Sequence, residues 1–242
     1  AKALIVHQQT DSTLPTILVK DTRIALGQLG AYVKSKISQL KCAAITGSNG
    51  KTTTKEMLSA ILNCFSQVED SVLATAGNFN NDIGLPLTLL RLTEKTKFAV
   101  VELGANHLGE IAYTANLAKP DVALINNVMP AHLEGFGSIE GVAKAKGEIW
   151  SSLTTVGTGV VNLDANFSKE YIQQLTEQQS HVFSFSQSDS SASLFASNIE
   201  FDEFGRATFN LNYQQKSLSV TLNLAGKHNI SNALAAASMA IV

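Results

Sequence analysis

Charged residues are scarce in this 242-residue chain, at 16% against roughly 25% in an average globular protein. The charges nearly balance, with 18 Lys and Arg against 20 Asp and Glu, and no basic stripe runs along the sequence. The sequence therefore lacks the clustered basic residues of a nucleic-acid-binding protein, and we expect no nucleic-acid partner. Apolar residues make up 45% of the chain, which suits a sheet covered by helices on both faces.

Cysteine and long apolar runs are also rare. The two cysteines, Cys42 and Cys64, lack the spacing of a metal site, so we expect reduced thiols in a cytoplasmic protein. No apolar run reaches the ~18 residues that a membrane helix needs, and no signal peptide opens the sequence. We therefore expect no membrane insertion. The sequence ends inside a helical pattern, which leads us to expect a piece of a longer protein.

Short apolar runs alternate with helical patterns from residue 41 onward. Strands are predicted at 43–45, 72–74, 98–101, 122–125 and 159–162, and helices at 52–65, 85–92, 110–117, 139–153 and 169–178. Continuous apolar strands indicate a parallel sheet buried on both faces, whereas the alternation over 201–224 predicts a small antiparallel patch. We predict an α/β fold, with a mostly parallel sheet flanked by helices.

The beginning of the chain has its own pattern. Two short strands, at 3–6 and 16–19, precede a helix that Asp21 caps, and a polar stretch at 35–41 marks a domain junction. We therefore predict a first unit over residues 1–38 and a central domain over residues 39–242.

A glycine-rich turn between a strand and a helix carries the strongest functional signal. Its residues are Gly47, Ser48, Asn49, Gly50, Lys51 and Thr52. In such a phosphate loop, the backbone N–H groups and the helix N-terminus bind phosphate oxygens. The lysine would reach the β- and γ-phosphates and the threonine hydroxyl would bind Mg²⁺. The loop is shorter than the general pattern, because two residues rather than four separate the first glycine from the Gly-Lys pair.

Polar residues follow the next two strands. Glu102 ends the strand at 98–101, at the sheet edge where ligands bind in open α/β folds. It can bind Mg²⁺ or orient a water, or it can simply cap a neighbouring helix. The loop at 75–81 is rich in Gly and Asn, so it can bind a second substrate or form an ordinary turn.

Two further residues have the chemistry of metal ligands. His132 lies in the loop after the fourth strand, and a loop histidine can bind a metal, transfer protons or merely face solvent. Lys146 falls on the apolar face of its helix, whereas Lys144 points away. A buried lysine loses its proton readily. Its neutral amine can react with CO₂ to give an anionic carbamate, although a lysine with a packed stem and an exposed ammonium is an equal alternative.

Asn229 and Asn232 lie one turn apart at the start of the last helix. Their amides can form paired hydrogen bonds with a purine edge, or Asn229 can act as a plain helix cap.

Residues 46–53 closely resemble the phosphate loop of the Mur ligases and folylpolyglutamate synthetases, and this resemblance accounts for the shortened spacing. The family has the same motif order: phosphate loop, glutamate at a strand end, histidine loop, helical lysine, then Gly-x-His-Asn-x-x-Asn. The stretches at 77–86, 102–107 and 131–138 resemble the branch that adds D-alanyl-D-alanine to UDP-N-acetylmuramoyl-tripeptide. The first forty residues resemble the end of that branch's UDP-binding domain.

The resemblance implies a bacterial, cytoplasmic and monomeric ligase of peptidoglycan synthesis, with these two small molecules as substrates. ATP would phosphorylate the tripeptide carboxylate, and the amine would attack the acyl phosphate. Lys51 would stabilise the transferring phosphoryl group, and Thr52 and Glu102 would bind one Mg²⁺. His132 and a carbamylated Lys146 would bind or orient a second Mg²⁺.

The remaining roles follow from the same resemblance. Thr53 would belong to the nucleotide loop, and Asn229 and Asn232 would contact the adenine. The residues facing the muramoyl peptide would be Thr75, Gly77, Asn78 and Asn81. Because the family has three domains, we expect this chain alone to bind nucleotide weakly and to form no amide bond.

Three other functions compete with this interpretation. The first is another carboxylate–amine ligase of the family, such as the diaminopimelate-adding enzyme or a folylpolyglutamate synthetase. The second is a P-loop switch or motor, which would have no use for Lys146 and His132. The third is a non-catalytic nucleotide-binding module, against which the intact Lys51, Thr52 and Glu102 argue.

Overall fold

The computed structural model describes residues 2–130 and 133–242 of the chain. A small parallel pair of strands, β1 (Leu4–Val6) and β2 (Thr16–Leu18), comes first and leads into helix α1 (Thr22–Ser35). Asp21 caps α1, as predicted, because its carboxylate accepts hydrogen bonds from the backbone N–H groups of the first turn.

One large sheet follows this first unit. The elements after α1 are, in chain order, β3 (Lys41–Thr46), α2 (Lys51–Ser66), β4 (Val72–Ala74), α3 (Gly84–Leu89), β5 (Phe98–Glu102), α4 (Glu110–Ala118), β6 (Val122–Ile125), α5 (Leu133–Phe136), α6 (Ile139–Gly147), a 3₁₀ helix (Glu148–Ser152), β7 (Thr158–Asn162), α7 (Ser168–Glu177), β8 (His181–Ser186), β9 (Leu194–Phe201), β10 (Arg206–Tyr213), β11 (Lys216–Ala225) and α8 (His228–Ile241). The strand order across the sheet is β11-β10-β9-β8-β7-β6-β3-β5-β4.

Every pairing from β4 across to β9 is parallel, and β9, β10 and β11 pair antiparallel. Helices cover both faces, since one buried apolar cluster lies under α3, α4, α6 and α7 and the other under α2 and α8. The predicted fold class is therefore confirmed, including the antiparallel patch.

Helix α1 packs against α3 and α4. Two glycines allow this close approach, because a Cβ added at Gly30 would lie 3.0 Å from the backbone of Pro86 and one at Gly27 would meet Tyr113. The first unit is thus attached to the sheet domain through its helix.

Strands β8 and β9 were not predicted. In both strands the burial alternates along part of the length, and serine interrupts the apolar run of β8, so neither shows the continuous apolar run of a strand buried on both faces. These strands join the antiparallel patch to the parallel sheet, so the patch continues the main sheet. The helix predicted over 139–153 ends as an α-helix at Gly147 and continues as the 3₁₀ helix.

Within residues 2–130 and 133–242, no helix has the length and apolar character needed to cross a bilayer. The ends of β3, β5 and β6 that carry polar residues lie side by side, because these parallel neighbours pair in register. This carboxyl edge brings the candidate site residues together.

Candidate functional site

The glycine-rich turn between β3 and α2 is fastened by the residues that follow β6. Gly50 adopts a left-handed conformation (φ 75°) immediately before the first turn of α2. The backbone N–H of Asn49 donates to Asn127 Oδ1 at 2.9 Å, and Asn126 Nδ2 and Asn127 Nδ2 each donate to the Asn49 carbonyl at 2.9 Å. Ser48 adds a backbone bond to the Asn127 carbonyl at 3.1 Å. The turn therefore has the strand–loop–helix context that the phosphate-loop prediction required.

Lys51 lies in the first turn of α2, where its Nζ donates to the Gly47 carbonyl at 2.8 Å. Burial lowers the pKa of Lys51 from its ordinary value, and the nearby Glu102 carboxylate opposes that shift. An ammonium beside the N-terminus of α2 can attract an anion, because the helix dipole and the charge act in the same direction.

Thr52 and Glu102 form the second half of this site. Thr52 Oγ1 donates to Glu102 Oε2 at 3.0 Å, and Asn80 Nδ2 donates to Glu102 Oε1 at 3.0 Å. The Glu102 side chain is buried at the end of β5, and its backbone N–H donates to Thr75 Oγ1 at 3.0 Å. The structure thus brings the predicted phosphate-loop threonine, the strand-end glutamate and the 75–81 loop into direct contact.

The donor set at Thr52 and Glu102 fits Mg²⁺. Magnesium prefers oxygen ligands, keeps several waters and takes one or two carboxylates together with substrate phosphates. A hydroxyl and a carboxylate 3.0 Å apart beside a phosphate loop provide that chemistry. No group of three or more His, Cys, Asp or Glu that could bind a metal occurs within residues 2–130 and 133–242.

Lys146 is buried on α6, with 7% of its surface exposed, whereas Lys144 is exposed as its helical position predicted. Burial, with a smaller contribution from the positive charge of Lys51, lowers the Lys146 pKa to about 8. A larger fraction of Lys146 is therefore neutral near physiological pH than for an ordinary lysine, and Lys51 of the phosphate loop is close enough to contribute to this shift. His132 falls outside the residues that the structure describes, so its predicted metal role remains a prediction.

The proposed substrate residues have different surroundings along their loop. Thr75 is buried, whereas Gly77, Asn78 and Asn81 are exposed. Asn81 Oδ1 accepts the backbone N–H of Gly84 at 2.8 Å and so helps to begin α3. The peptide contacts predicted for these residues remain predictions.

Asn229 and Asn232 belong to a buried amide network. Asn232 Oδ1 accepts from Asn126 Nδ2 at 3.0 Å and from Thr54 Oγ1 at 3.3 Å, and Asn232 Nδ2 donates to Asn229 Oδ1 at 3.0 Å. Asn229 Nδ2 donates to the Ala225 carbonyl at 2.8 Å. This network joins α8 to the phosphate loop. Contact of the two side chains with adenine remains a prediction.

A cavity of about 570 Å³ opens beside Gly50, between the carboxyl ends of β6 and β7 and the start of α8. Within the described part of the chain, two residues that line it, Asn126 and Gln187, each have a buried side-chain oxygen without a hydrogen-bond partner. Buried acceptors of this kind are costly unless a ligand or water donates to them. The cavity is therefore a candidate ligand pocket adjoining the phosphate loop.

Sequence reasoning assigned no role to Asn126, Asn127, Gln187 or Lys55. The pair Asn126–Asn127 follows β6 at the carboxyl edge, which was an available signal. Gln187 follows the unpredicted strand β8, and Lys55 falls on the buried face of α2, so their positions became visible only in the fold.

Comparison with known proteins agrees with this geometry. A family model described as the Mur ligase middle domain matches residues 45–240. The chain belongs to the Mur ligase family. The matched region contains all the predicted nucleotide, metal and substrate residues of the central domain.

Two relatives illustrate the similarity to other Mur ligases. The UDP-N-acetylmuramoyl-tripeptide–D-alanyl-D-alanine ligase of Haemophilus influenzae is 48% identical over 242 residues, which cover 100% of this chain and 51% of that protein. The crystal structure of MurF from Acinetobacter baumannii matches with a TM-score of 0.90 and 41% identity, over 98% of this chain and 50% of that one.

A MurF ligase from Thermotoga maritima, solved in complex with ADP, matches with a TM-score of 0.81 and 27% identity, over 98% of this chain and 53% of that one. The chain thus spans about half the length of the relatives that it matches.

Proposed function

We propose that this chain is the nucleotide-binding part of an ATP-dependent ligase that joins D-alanyl-D-alanine to UDP-N-acetylmuramoyl-tripeptide in peptidoglycan synthesis. The observation that carries the proposal is the contact of Thr52 with Glu102 beside the Lys51 phosphate loop. The 48% identity to a ligase named for this reaction supports the choice of substrates. A bacterial source, a cytoplasmic location and a monomeric state belong to the same proposal.

The proposal divides the chain as the sequence predicted. Residues 1–38 would be the tail of an N-terminal UDP-substrate-binding domain, and residues 39–242 the central ATP-binding domain. The separate β1–β2 pair and the start of the matched region at residue 45 support that division. The complete enzyme would need further sequence, so this chain by itself would form no amide bond.

The reaction begins with phosphoryl transfer from ATP to the terminal carboxylate of the tripeptide. The D-alanyl-D-alanine amine then attacks the acyl phosphate, and a tetrahedral intermediate collapses to amide and phosphate. The Lys51 ammonium, at the N-terminus of α2, would stabilise the negative charge of the transferring phosphoryl group. The loop N–H groups orient the phosphates, because the amide network of Asn126 and Asn127 fixes their direction.

Thr52 and Glu102 would bind Mg²⁺, which neutralises phosphate charge when it is present. Asn80 supports this pair, because its bond to Oε1 fixes the orientation of the Glu102 carboxylate. Lys146, whose pKa is lowered chiefly by burial to about 8, can lose its ammonium proton; the neutral amine nitrogen then bonds to the carbon of CO₂ and releases a second proton to solvent. The resulting carbamate, together with His132, would bind or orient a second Mg²⁺.

The cavity beside Gly50 would take the adenine base. An adenine presents an exocyclic amino group with two N–H donors, whereas guanine presents an acceptor at the same position. Asn126 and Gln187 line this cavity and have unpaired side-chain oxygens, which would match the adenine pattern once the amides turn toward the base. Asn229 and Asn232 would hold Asn126 in place through their hydrogen bonds. The family resemblance predicts in addition that both side chains contact the base directly. We expect ADP to bind at least about tenfold more tightly than GDP.

Phosphate release by the full-length protein tests this function. UDP-N-acetylmuramoyl-tripeptide and D-alanyl-D-alanine are added singly and together, with Lys51→Met as the inactive control. Release only with both substrates, and its loss in the control, would establish the ligase. Release without either substrate would instead favour a switch-type ATPase, and no release would point to another substrate pair within the family.

A further inference from the structure

Lys55 is one of the largest fully buried side chains in the described part of the chain, at 2% exposure. It lies on α2, one helical turn after Lys51. Its Nζ donates to the Thr75 carbonyl at 2.7 Å and approaches Glu56 Oε1 at 2.7 Å. Because the Glu56 side chain is 66% exposed, the Thr75 carbonyl is the buried partner of this ammonium.

Thr75 is the first residue of the loop at 75–81, and three bonds fix it. Its N–H donates to the Val100 carbonyl at 3.0 Å, its Oγ1 accepts from Glu102 N at 3.0 Å, and its carbonyl accepts from Lys55. The far end of the loop is fixed at Asn80, whose carbonyl accepts from Gly104 N at 2.8 Å. The exposed middle of the loop therefore lies between two anchored ends.

The bond from Lys55 differs from the other anchors in its origin. Val100, Glu102 and Gly104, which form the other bonds to the loop, lie in β5 or in the segment that follows it, whereas Lys55 belongs to α2. Helix α2 begins in the phosphate loop, and four residues of helix span about 6 Å. A displacement of the first turn of α2 is thus transmitted over a short, stiff distance to the start of the loop.

Chemistry also favours a positioning role over simple packing. A buried ammonium is costly unless a hydrogen-bonding partner compensates it, and a methionine would fill similar space without that cost. The charged donor gives the Thr75 carbonyl a stronger and more directional bond than a neutral donor would. Fixing the Thr75 backbone also fixes the hydroxyl that accepts from Glu102 N.

We infer that Lys55 is a positioning residue that couples the nucleotide-binding helix to the loop facing the muramoyl-peptide substrate. The inference rests on the proposed function, because it takes the loop at 75–81 as the peptide-binding loop. Lys55 touches no substrate itself. It acts by fixing the position of the Thr75 backbone relative to the phosphate loop.

The test compares Lys55→Met with wild type in the full-length protein, with the same change at an exposed lysine, Lys169→Met, as the matched control. Losing a charged hydrogen bond to the loop should raise KM for UDP-N-acetylmuramoyl-tripeptide by about 10- to 100-fold. KM for ATP should change by less than about threefold, since no nucleotide contact is removed. Lys169→Met, which removes an exposed lysine on α7, should leave both constants unchanged because it alters neither the phosphate loop nor the loop at 75–81. Lys55→Gln, which is neutral but keeps an N–H donor, should give an intermediate ratio of the two constants.

Amide hydrogen exchange measures the anchoring without any substrate. Exchange at Thr75, Glu102 and Gly104 should be about tenfold faster in Lys55→Met than in Lys169→Met, while exchange in β7 stays the same. A lower melting temperature with an unchanged KM ratio and unchanged exchange at these amides would make Lys55 merely structural and overturn the inference. If the wild-type enzyme releases no phosphate, the proposed function fails, and the exchange result still decides whether Lys55 anchors the loop. Should Lys55→Met not fold, both measurements are made on Lys55→Gln with the same criteria.

Discussion

Replacing Gly50 by alanine tests how tightly the phosphate loop is built against the amide network. Gly50 has φ 75°, and a Cβ at this position would lie 2.5 Å from Asn232 Oδ1 and 2.6 Å from Asn126 Nδ2. These two atoms are bonded to each other at 3.0 Å, and both side chains are buried. The methyl group must therefore push the two amides apart or displace the loop.

The expected loss of stability has two parts. Placing a non-glycine residue in the left-handed region costs about 1–2 kcal/mol. Breaking the buried bond between Asn126 and Asn232 and leaving its atoms unpaired costs about 1–3 kcal/mol more. We expect Gly50→Ala to lower the free energy of unfolding by about 2–5 kcal/mol. It should also weaken ADP binding, because the loop N–H groups lose their direction.

Gly109→Ala is the matched control. Gly109 also precedes a helix in a left-handed conformation, at φ 88°, but no heavy atom outside its chain neighbours lies within 4 Å of an added Cβ in the described structure. Gly109→Ala therefore has the same left-handed backbone strain and the same effect on the unfolded state as Gly50→Ala, but its methyl group meets no neighbouring side chain. Urea unfolding with a constant m-value gives both free energies. If Gly50→Ala is no more destabilised than Gly109→Ala, the collision with the network has no energetic weight and the reasoning is wrong.

Three further predictions concern Glu102 and the cysteines. Glu102→Gln should reduce phosphate release by the full-length protein about 100-fold or more, because the Thr52 hydroxyl loses its charged partner; a loss below threefold would contradict the assignment. Burial raises the pKa of Cys42 to about 11 from 9.0. Between those values the unfolded thiol ionises and the folded one does not, so the contribution of Cys42 to stability should fall by about 2 kcal/mol as the pH rises from 9 to 11. The difference in unfolding free energy between wild type and Cys42→Ala in urea titrations should show this fall, because groups with the opposite sign, such as Lys146, are common to both proteins. A thiol reagent at pH 8 should modify the exposed Cys64 rapidly in the native protein and Cys42 only after unfolding, and equal rates would refute the burial of Cys42.

The parallel half of the sheet was predictable from sequence because its strands are continuous apolar runs with helical patterns between them. Strand β6 is buried at all four positions and was predicted with its observed bounds. Strands β8 and β9 were missed because their burial depends on neighbouring strands and helices that no local pattern shows. The end of α6 at Gly147 was missed for a similar reason, since the apolar face continues into the 3₁₀ helix.

The phosphate-loop residues were predictable because their chemistry is compact in sequence. Lys51 and Thr52 follow a strand and begin a helix, which is a local signal. Gln187 and Lys55 could not be found in this way. Their roles depend on contacts with residues 44 and 20 positions away, at Ser231 and Thr75. Such contacts arise only when the order of strands in the sheet is known.

Apart from the bond of Lys51 to the Gly47 carbonyl, the side-chain bonds described above that fasten the phosphate loop come from neutral groups. Asn49, Asn126, Asn127, Asn232 and Thr54 fasten it through amide and hydroxyl bonds. Amide and hydroxyl groups do not titrate across the physiological range, and added salt does not screen their bonds as it screens ion pairs. We therefore expect this amide and hydroxyl network to keep the same geometry in acid and in alkali, and at low and high ionic strength. Changes in nucleotide affinity with pH or salt can then be assigned to the charged groups at the phosphate loop rather than to the neutral network.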